Sequence, residues 1–367
     1  MTHQQEWSNA KNILCVRLDS LGDVLMMTPA IRALKGQPDG RRITLLTSRS
    51  GAEIASLIPE VDETMTYDPP WMKASAPPTD SALEFEMIDR LRKHKFDGAV
   101  IFTTFSQSPL PAALLTFLAE IPLRLAHCRE NPYYLLTDWI PEADEFNQPT
   151  IRHEVRRQLD LVASIGSKTA NERLSLQVPI PTLAAVRETL ERIGLTENKP
   201  WAVLHPGATA ASRRYPAENF ASVAETLISK HGFQIIFTGS KTEFELVESI
   251  QDCVNTDTFC LAGQLGIGDL AALLSIAPLL ITNNTGPAHI AAAVGTPVVV
   301  LYALTNPQHT PWQVPHRALF HDVPCKFCYK SICPMEHHNC LRLVHPADVV
   351  EAALELLATQ KRHEAVR

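Results

Sequence analysis

The sequence predicts an α/β protein made of two doubly wound domains with parallel sheets. Three observations carry this prediction. Residues 13–35, ILCVRLDSLGDVLMMTPAIRALK, read as a strand, a turn with one glycine and a helix, the unit that opens such a domain. From Trp201 to Leu301, apolar runs of strand length alternate with helical stripes, which implies a parallel sheet covered on both faces. The chain of 367 residues is long enough for two full cores, and Pro179, Pro181 and Pro200 mark a linker region.

In the first half, Ile13–Leu18 is a mostly apolar run of strand length. Behind the turn Asp19–Asp23, the residues Val24, Met27, Ile31 and Leu34 form one apolar stripe at helical spacing. Pro29 falls in the first turns and predicts a kink. Ligands of doubly wound domains sit at the carboxyl ends of the strands, so Asp19 and Asp23 are delivered to a candidate site. The alternative is that these acids only cap the helix, a common task for aspartate. Arg42–Thr47 and Thr64–Tyr67 are the next strands, with a short helix at Gly51–Ile58 between them. Pro69–Thr79 is a proline-rich loop, either a lid or a plain surface connection. A helix over Ser81–Lys95 ends in the basic run RLRKHK, which suits a solvated helix end or an anionic acceptor or membrane face. Asp97–Phe105 is a buried strand with the helix Pro109–Ala119 behind it. Arg124, His127 and Arg129 precede a proline-marked irregular segment, and a helix from about Arg152 carries His153, Arg156 and Arg157.

The second half is more regular. After a helix at Thr182–Ile193, strands at Trp201–His205, Phe233–Phe237, Thr258–Leu261, Leu279–Thr282 and Pro297–Leu301 alternate with helices at Pro216–His231, Lys241–Cys253, Ile267–Ile276 and Pro287–Val294. Gly232 and Gly295 stand where helices stop. Three loops leave strand carboxyl ends: HPGATAASRRYP from His205, TGSKTE from Thr238, and NNTGPAH from Asn283. Small residues allow close backbone approach, Arg213 and Arg214 can pair with phosphate oxygens, and the helix start at Thr285–Gly286 is an anion site. Together they point to a nucleotide carrying a diphosphate. His289 is either a ligand contact or a structural histidine. The absence of GxGxxG and GxxxxGK[ST] argues against dinucleotide oxidoreductases and NTPases, and no Asp-x-Asp pair is available to hold a metal on a diphosphate.

Composition narrows the class further. Hydrophobic residues at 45% and charged residues at 20% are ordinary for a soluble globular protein, and a net charge of -7 does not suggest nucleic-acid binding. Met1–Trp7 lacks the basic flank and apolar core of a signal peptide, and no apolar run is long enough to span a bilayer. A cytoplasmic protein is expected, with peripheral membrane contact as a further expectation.

The segments VRLDSLGDVLMMTPAIRAL, HPGA…RRYP, LAGQLGIGDLAALL and NNTGPAHIAAAVGTPVVVLY resemble glycosyltransferase family nine, the ADP-heptose lipopolysaccharide heptosyltransferases. The resemblance runs through both domains in order. It implies a GT-B architecture of two facing Rossmann-like domains, 1–175 for the acceptor and 176–345 for the nucleotide sugar, with a C-terminal helix in 346–367 returning to the first. By this resemblance Asp23 is the catalytic base. Thr209 and Arg213 match the phosphate loop, Glu243 and Leu265 fall where the adenosine is held, and Thr285, Gly286 and His289 match the diphosphate-sugar motif, with Arg214 and Asn284 as further donor-binding candidates. Arginine at 213 stands where the family often has lysine, and Asn284 where it commonly has aspartate. Arg124, His127 and Arg156 are the acceptor candidates.

The implied reaction is inverting transfer of heptose from ADP-heptose to a hydroxyl of the lipid-linked inner core, with no cofactor required for the chemistry. Alternatives on the same architecture are transfer to a protein or another glycan, a sugar-nucleotide epimerase, or a binding protein without turnover. Finally, Cys325, Cys328, Cys333 and Cys340 fall in one short segment beside His321, His337 and His338. They suggest a structural zinc or iron site, against free thiols or an oxidised pair.

Overall fold

The computed structural model describes residues 3–36, 40–72, 80–142, 152–196 and 198–365. The chain divides into two compact units, Met1–Leu176 and Gln177–Arg367. Each unit carries a six-stranded sheet, parallel throughout.

In the first unit the strands are β1 (Asn12–Arg17), β2 (Arg42–Thr47), β3 (Glu63–Thr66), β4 (Gly98–Ile101), β5 (Leu123–Cys128) and β6 (Asp138–Pro141). The helices are α1 (His3–Asn9), α2 (Leu21–Met26), α3 (Thr28–Lys35), α4 (Arg49–Ala55), α5 (Ala82–His94), α6 (Leu110–Leu118) and α7 (Glu154–Ala163). Sheet order is β3-β2-β1-β4-β5-β6, the doubly wound arrangement, with its switch point between β1 and β4. The helix expected behind Asp23 is two helices that break at Met27, with Pro29 inside the first turn of α3. One face of the sheet packs Leu14, Val16, Ala99 and Ile101 against Met87, Ile88 and Leu91 of α5 and Ala113 and Leu115 of α6. On α1, Trp7 lies against Gly98, where an added Cβ would meet the indole at 2.7 Å. Its Nε1 donates to Asp138 Oδ2 at 2.9 Å, which pins α1 across the sheet.

The second unit repeats this plan. Its strands are β7 (Trp201–His205), β8 (Gln234–Phe237), β9 (Phe259–Cys260), β10 (Leu280–Asn283), β11 (Val298–Leu301) and β12 (His316–Leu319), in the order β12-β11-β10-β7-β8-β9. Its helices are α8 (Ile180–Arg192), α9 (Ala217–His231), α10 (Phe244–Gln251), α11 (Ile267–Ile276), α12 (Gly286–Val294), α13 (Asn339–Arg342) and α14 (Pro346–Ala365). The switch point lies between β7 and β10. Helix α14 packs on α9, β11 and β12 of its own unit, burying Val349, Val350, Ala353 and Leu356.

Three strands, β5, β6 and β12, lie where no strand is expected from the sequence. The strand expected at 97–105 is shorter, because the chain turns out of the sheet after Ile101. Of the proline-rich loop Pro69–Thr79, residues 73–79 lie outside the described residues. No described helix is long and apolar enough to cross a membrane.

Candidate active site

The first unit gathers its buried charge at the switch point, where the loops after β1 and β4 diverge. Arg17 ends β1 with its side chain wholly buried, and it faces three carboxylates. Nε lies 2.9 Å from Asp19 Oδ2, Nη2 3.2 Å from Asp23 Oδ1, and Nη1 3.2 Å from Glu154 Oε1. Burial opposes the guanidinium charge, but the three acids outweigh it and push the Arg17 pKa up. Glu154 opens α7 with no exposed surface and also accepts from Gln158 Nε2 at 2.6 Å.

Asp23 occupies the third position of α2. Its Oδ2 accepts from Ser20 N at 3.2 Å and from Ser20 Oγ at 2.7 Å, while Oδ1 takes Arg17. The capping role and the site role therefore coexist in one carboxylate. Asp19 is raised to about 6, because burial and the nearby Asp23 outweigh the pull of Arg17 and the hydrogen bond from Gln107 in the loop after β4.

The acceptor candidates each make bonds of their own. Arg124 spends its guanidinium on backbone: Nε donates to Leu135 O at 2.7 Å, Nη2 to Tyr134 O at 3.1 Å, and Nη1 to Ile121 O. It also lies 5.4 Å from the centre of the Phe117 ring. His127 is buried, and its Nε2 pairs with Arg157 O at 3.0 Å; burial and the Arg157 charge lower its pKa. Both residues hold β5 to its neighbours. Arg156 pairs with Glu172, Nη1 to Oε1 at 2.9 Å. Sequence reasoning assigned no role to Arg17 or Glu154, although an arginine ending an apolar strand just before an acidic turn is a readable signal.

In the second unit the loops after β7, β8 and β10 come together because those strands are adjacent. Asn283 ties two of them: its Oδ1 accepts from Tyr215 N at 3.0 Å and its Nδ2 donates to Pro206 O at 2.7 Å. Glu243 lies under the first loop, where a Cβ on Gly207 would fall 2.1 Å from Glu243 Oε1. Ser240 N and Oγ hold the Glu243 Oε2 atom at 2.8 and 2.9 Å. His205 bonds Thr238 Oγ1 at 3.0 Å, and burial, outweighing the nearby Glu243, lowers its pKa. The backbone bond from Gly263 N to Gly239 O, 2.9 Å, sets half-buried Leu265 on the segment beside the β8 loop.

Thr209 is exposed on the first loop. Arg213 closes a short 3-10 turn, near enough to the buried Tyr302 for its charge to be felt there. Arg214 Nε donates to Ala208 O at 2.8 Å and shapes the loop. Thr285 caps α12, Gly286 is its first residue, and His289 is buried in its first turn. Asn284 is buried with Oδ1 accepting from Ala303 N at 3.1 Å, a fixed structural bond at the position where aspartate is common.

The cysteine segment sits against the same loop. Ser212 N donates to Ser331 O at 3.1 Å and Ser212 Oγ to Lys330 O at 2.8 Å. Cys325, Cys328, Cys333 and Cys340 line one cavity with His337, whose Nε2 is 3.7 Å from Cys325 Sγ. All four cysteines are unpaired thiols. Among the described residues, no three or more Cys, His, Asp or Glu side chains are placed so as to enclose a metal ion.

The chain is similar to known proteins along most of its length. The profile of glycosyltransferase family 9 (heptosyltransferase) matches residues 85–339. Lipopolysaccharide heptosyltransferase 2 of Escherichia coli K12 is 26% identical over 312 residues, covering 82% of this chain and 84% of that one. Lipooligosaccharide heptosyltransferase 2 of Campylobacter jejuni is 33% identical over 160 residues, 42% of this chain and 50% of its own length. The solved structure of E. coli ADP-heptose LPS heptosyltransferase II superposes with a TM-score of 0.74 at 22% identity, covering 95% of this chain and 99% of that one, a likeness of fold.

Proposed function

The chain belongs to glycosyltransferase family 9, and from that premise we propose that it moves a heptose from ADP-heptose to a hydroxyl of the lipopolysaccharide inner core, with inversion. The observation that carries this reading is the convergence of three loops at the switch point of the second sheet. There Thr285–Gly286 opens α12, and Arg213 stands on the neighbouring loop. A helix start and a guanidinium are fixed donors suited to the charge that grows on a departing diphosphate. The relatives named above are heptosyltransferases, and the solved neighbour is an ADP-heptose LPS heptosyltransferase.

The first unit contributes the base. Asp23 accepts the proton of the acceptor hydroxyl as that oxygen attacks the anomeric carbon and the bond to ADP breaks. Arg17 gives one nitrogen to each of three acids, so the cluster holds more negative than positive charge. A proton arriving on Asp23 relieves that excess, and the bonds from Ser20 hold the carboxylate in place while it arrives. Fixed donors supply the electrostatic work without a cofactor. Arg124 and His127 are not carried into this mechanism: the Arg124 guanidinium is spent on backbone carbonyls, and buried His127 holds Arg157 O through Nε2. Because the acceptor is lipid-borne, the enzyme works at the cytoplasmic face of the membrane.

The four cysteines supply soft donors suited to zinc or iron, and among the described residues they are not placed so as to enclose an ion. A metal bound there would have to draw the thiols together, coupling its binding to local folding. Elemental analysis of untagged protein is expected to find about one ion per chain; metal-free, fully active protein would leave the segment as free thiols.

ADP release from ADP-heptose, measured with and without delipidated inner-core acceptor, tests the main reading. Acceptor-dependent release with an inverted anomeric product is expected. Isomerised sugar without release would make the protein an epimerase, and donor binding without either would make it inert. Release only with a protein or a different glycan would change the acceptor.

A further inference from the structure

The first unit carries an apolar stripe that its own core does not use. Helix α6 buries Ala112, Ala113, Leu115 and Thr116, while Leu114, Phe117 and Leu118 stand outward at 46%, 45% and 41% exposure. These three recur at helical spacing, so they form one continuous face. The contact of Arg124 with both the Phe117 ring and Tyr134 O brings the tyrosine turn alongside. Tyr133 and Tyr134 there are 79% and 88% exposed.

A basic segment also adjoins the stripe. The last turn of α5 abuts the end of α6, since Arg92 Nη2 donates to Leu118 O at 2.7 Å. Arg92 also pairs with two acids, Asp89 at 3.1 Å and Glu120 at 3.4 Å, and Glu86 lies one turn before Arg90. Arg90, Lys93 and Lys95 are exposed around it. An apolar helical face adjoined by exposed tyrosines and cations suits an anionic bilayer surface, with its acyl boundary, interface and headgroups. The whole chain has a net charge of -7, so attraction to such a surface has to be local.

We propose that the outer face of α6, with Tyr133, Tyr134 and the basic end of α5, docks this enzyme onto an anionic phospholipid bilayer. It deepens the functional reading, which supplies the lipid-borne acceptor, but the binding itself is measurable without any transfer. The stripe is flat and short, so docking is shallow and reversible, and salt weakens it.

The test is co-sedimentation of the full chain with vesicles of phosphatidylethanolamine and phosphatidylglycerol, against vesicles of phosphatidylcholine alone. Preferential binding to the anionic vesicles is expected. Leu114→Ser with Leu118→Ser should weaken it by about tenfold or more. Arg90→Glu with Lys93→Glu should weaken it and remove most of its salt dependence. Both variants should keep the wild-type rate with soluble, delipidated acceptor. Equal binding to both vesicle types, or variants that bind like wild type, would overturn the proposal. A concentration-dependent dimer that dissociates in the leucine variant would assign the face to a second copy instead. Loss of turnover on the soluble acceptor would assign it to the acceptor sugar. If vesicle binding holds while transfer fails, the docking face stands and the catalytic reading falls.

Discussion

Arg17 and Glu154 meet at 3.2 Å with neither side chain exposed to solvent. The pair joins the end of β1 to the start of α7, positions far apart in sequence, and it forms one arm of a three-acid hub. Removing one partner of such a pair leaves buried charge uncompensated, which costs about 3–5 kcal/mol. Arg17→Met is therefore expected to lose stability in that range in urea unfolding. Glu154→Gln should lose less, because Arg17 keeps Asp19 and Asp23. A loss under about 1 kcal/mol for Arg17→Met would show that the hub is not a structural support.

Asp23→Asn tests the base. The amide oxygen can still accept from Arg17 and its Nδ2 can donate to Ser20 Oγ, while the bond from Ser20 N is lost, so the variant should fold with a modestly lowered melting temperature. Acceptor-dependent ADP release should fall by about 10²–10⁴-fold, the usual contribution of a positioned base. Undiminished release from the folded variant would remove Asp23 from the mechanism.

Asp19 gives the fold a pH dependence with a defined sign. Its pKa is raised to about 6 from an ordinary value of 3.8, so the folded protein holds an extra proton between those values. Stability supplied by this proton is present at low pH and is lost as pH rises through 6. Asp19→Asn removes the burden, so it should raise the melting temperature at pH 7.5 by an amount equivalent to about 1–3 kcal/mol. At pH 4 the difference should vanish. A variant less stable at pH 7.5 would show that the Arg17 contact outweighs the burial.

Gly207 and Glu243 form a coupled pair in the donor loops. A methyl group at 207 would collide with the Glu243 carboxylate, which Ser240 holds from the other side. Gly207→Ala should cost about 1–3 kcal/mol as overpacking and raise KM for the nucleotide sugar. Glu243→Ala should relieve much of the clash, so the double variant will be less damaged than the two losses added together. Additive losses would show that the two residues do not press on each other.

These contrasts show which features the sequence makes legible. The donor loops announce themselves locally: small residues, a helix start with proline behind it and a glycine stop are all short-range signals, and the structure brings those loops together. The break at Met27 was readable from Pro29 for the same reason. Strand β5 was not, because Arg124 and His127 interrupt its apolar run. Both pay for burial through carbonyls of Leu135, Tyr134, Ile121 and Arg157, partners that only the tertiary fold supplies. β6 and β12 are edge strands with mixed burial, so no periodic pattern marks them. The hub around Arg17 escaped notice because Glu154 arrives from a distant helix.

Helix α14 gives the two units different histories during synthesis. The first has all its strands and α7 once residue 163 has emerged from the ribosome, and it can begin folding while the rest is still being made. The second has a gap over β11 and β12 until Val349, Val350, Ala353 and Leu356 arrive. Until then that part of its sheet leaves apolar surface uncovered, so the last twenty or so residues decide when the second core closes.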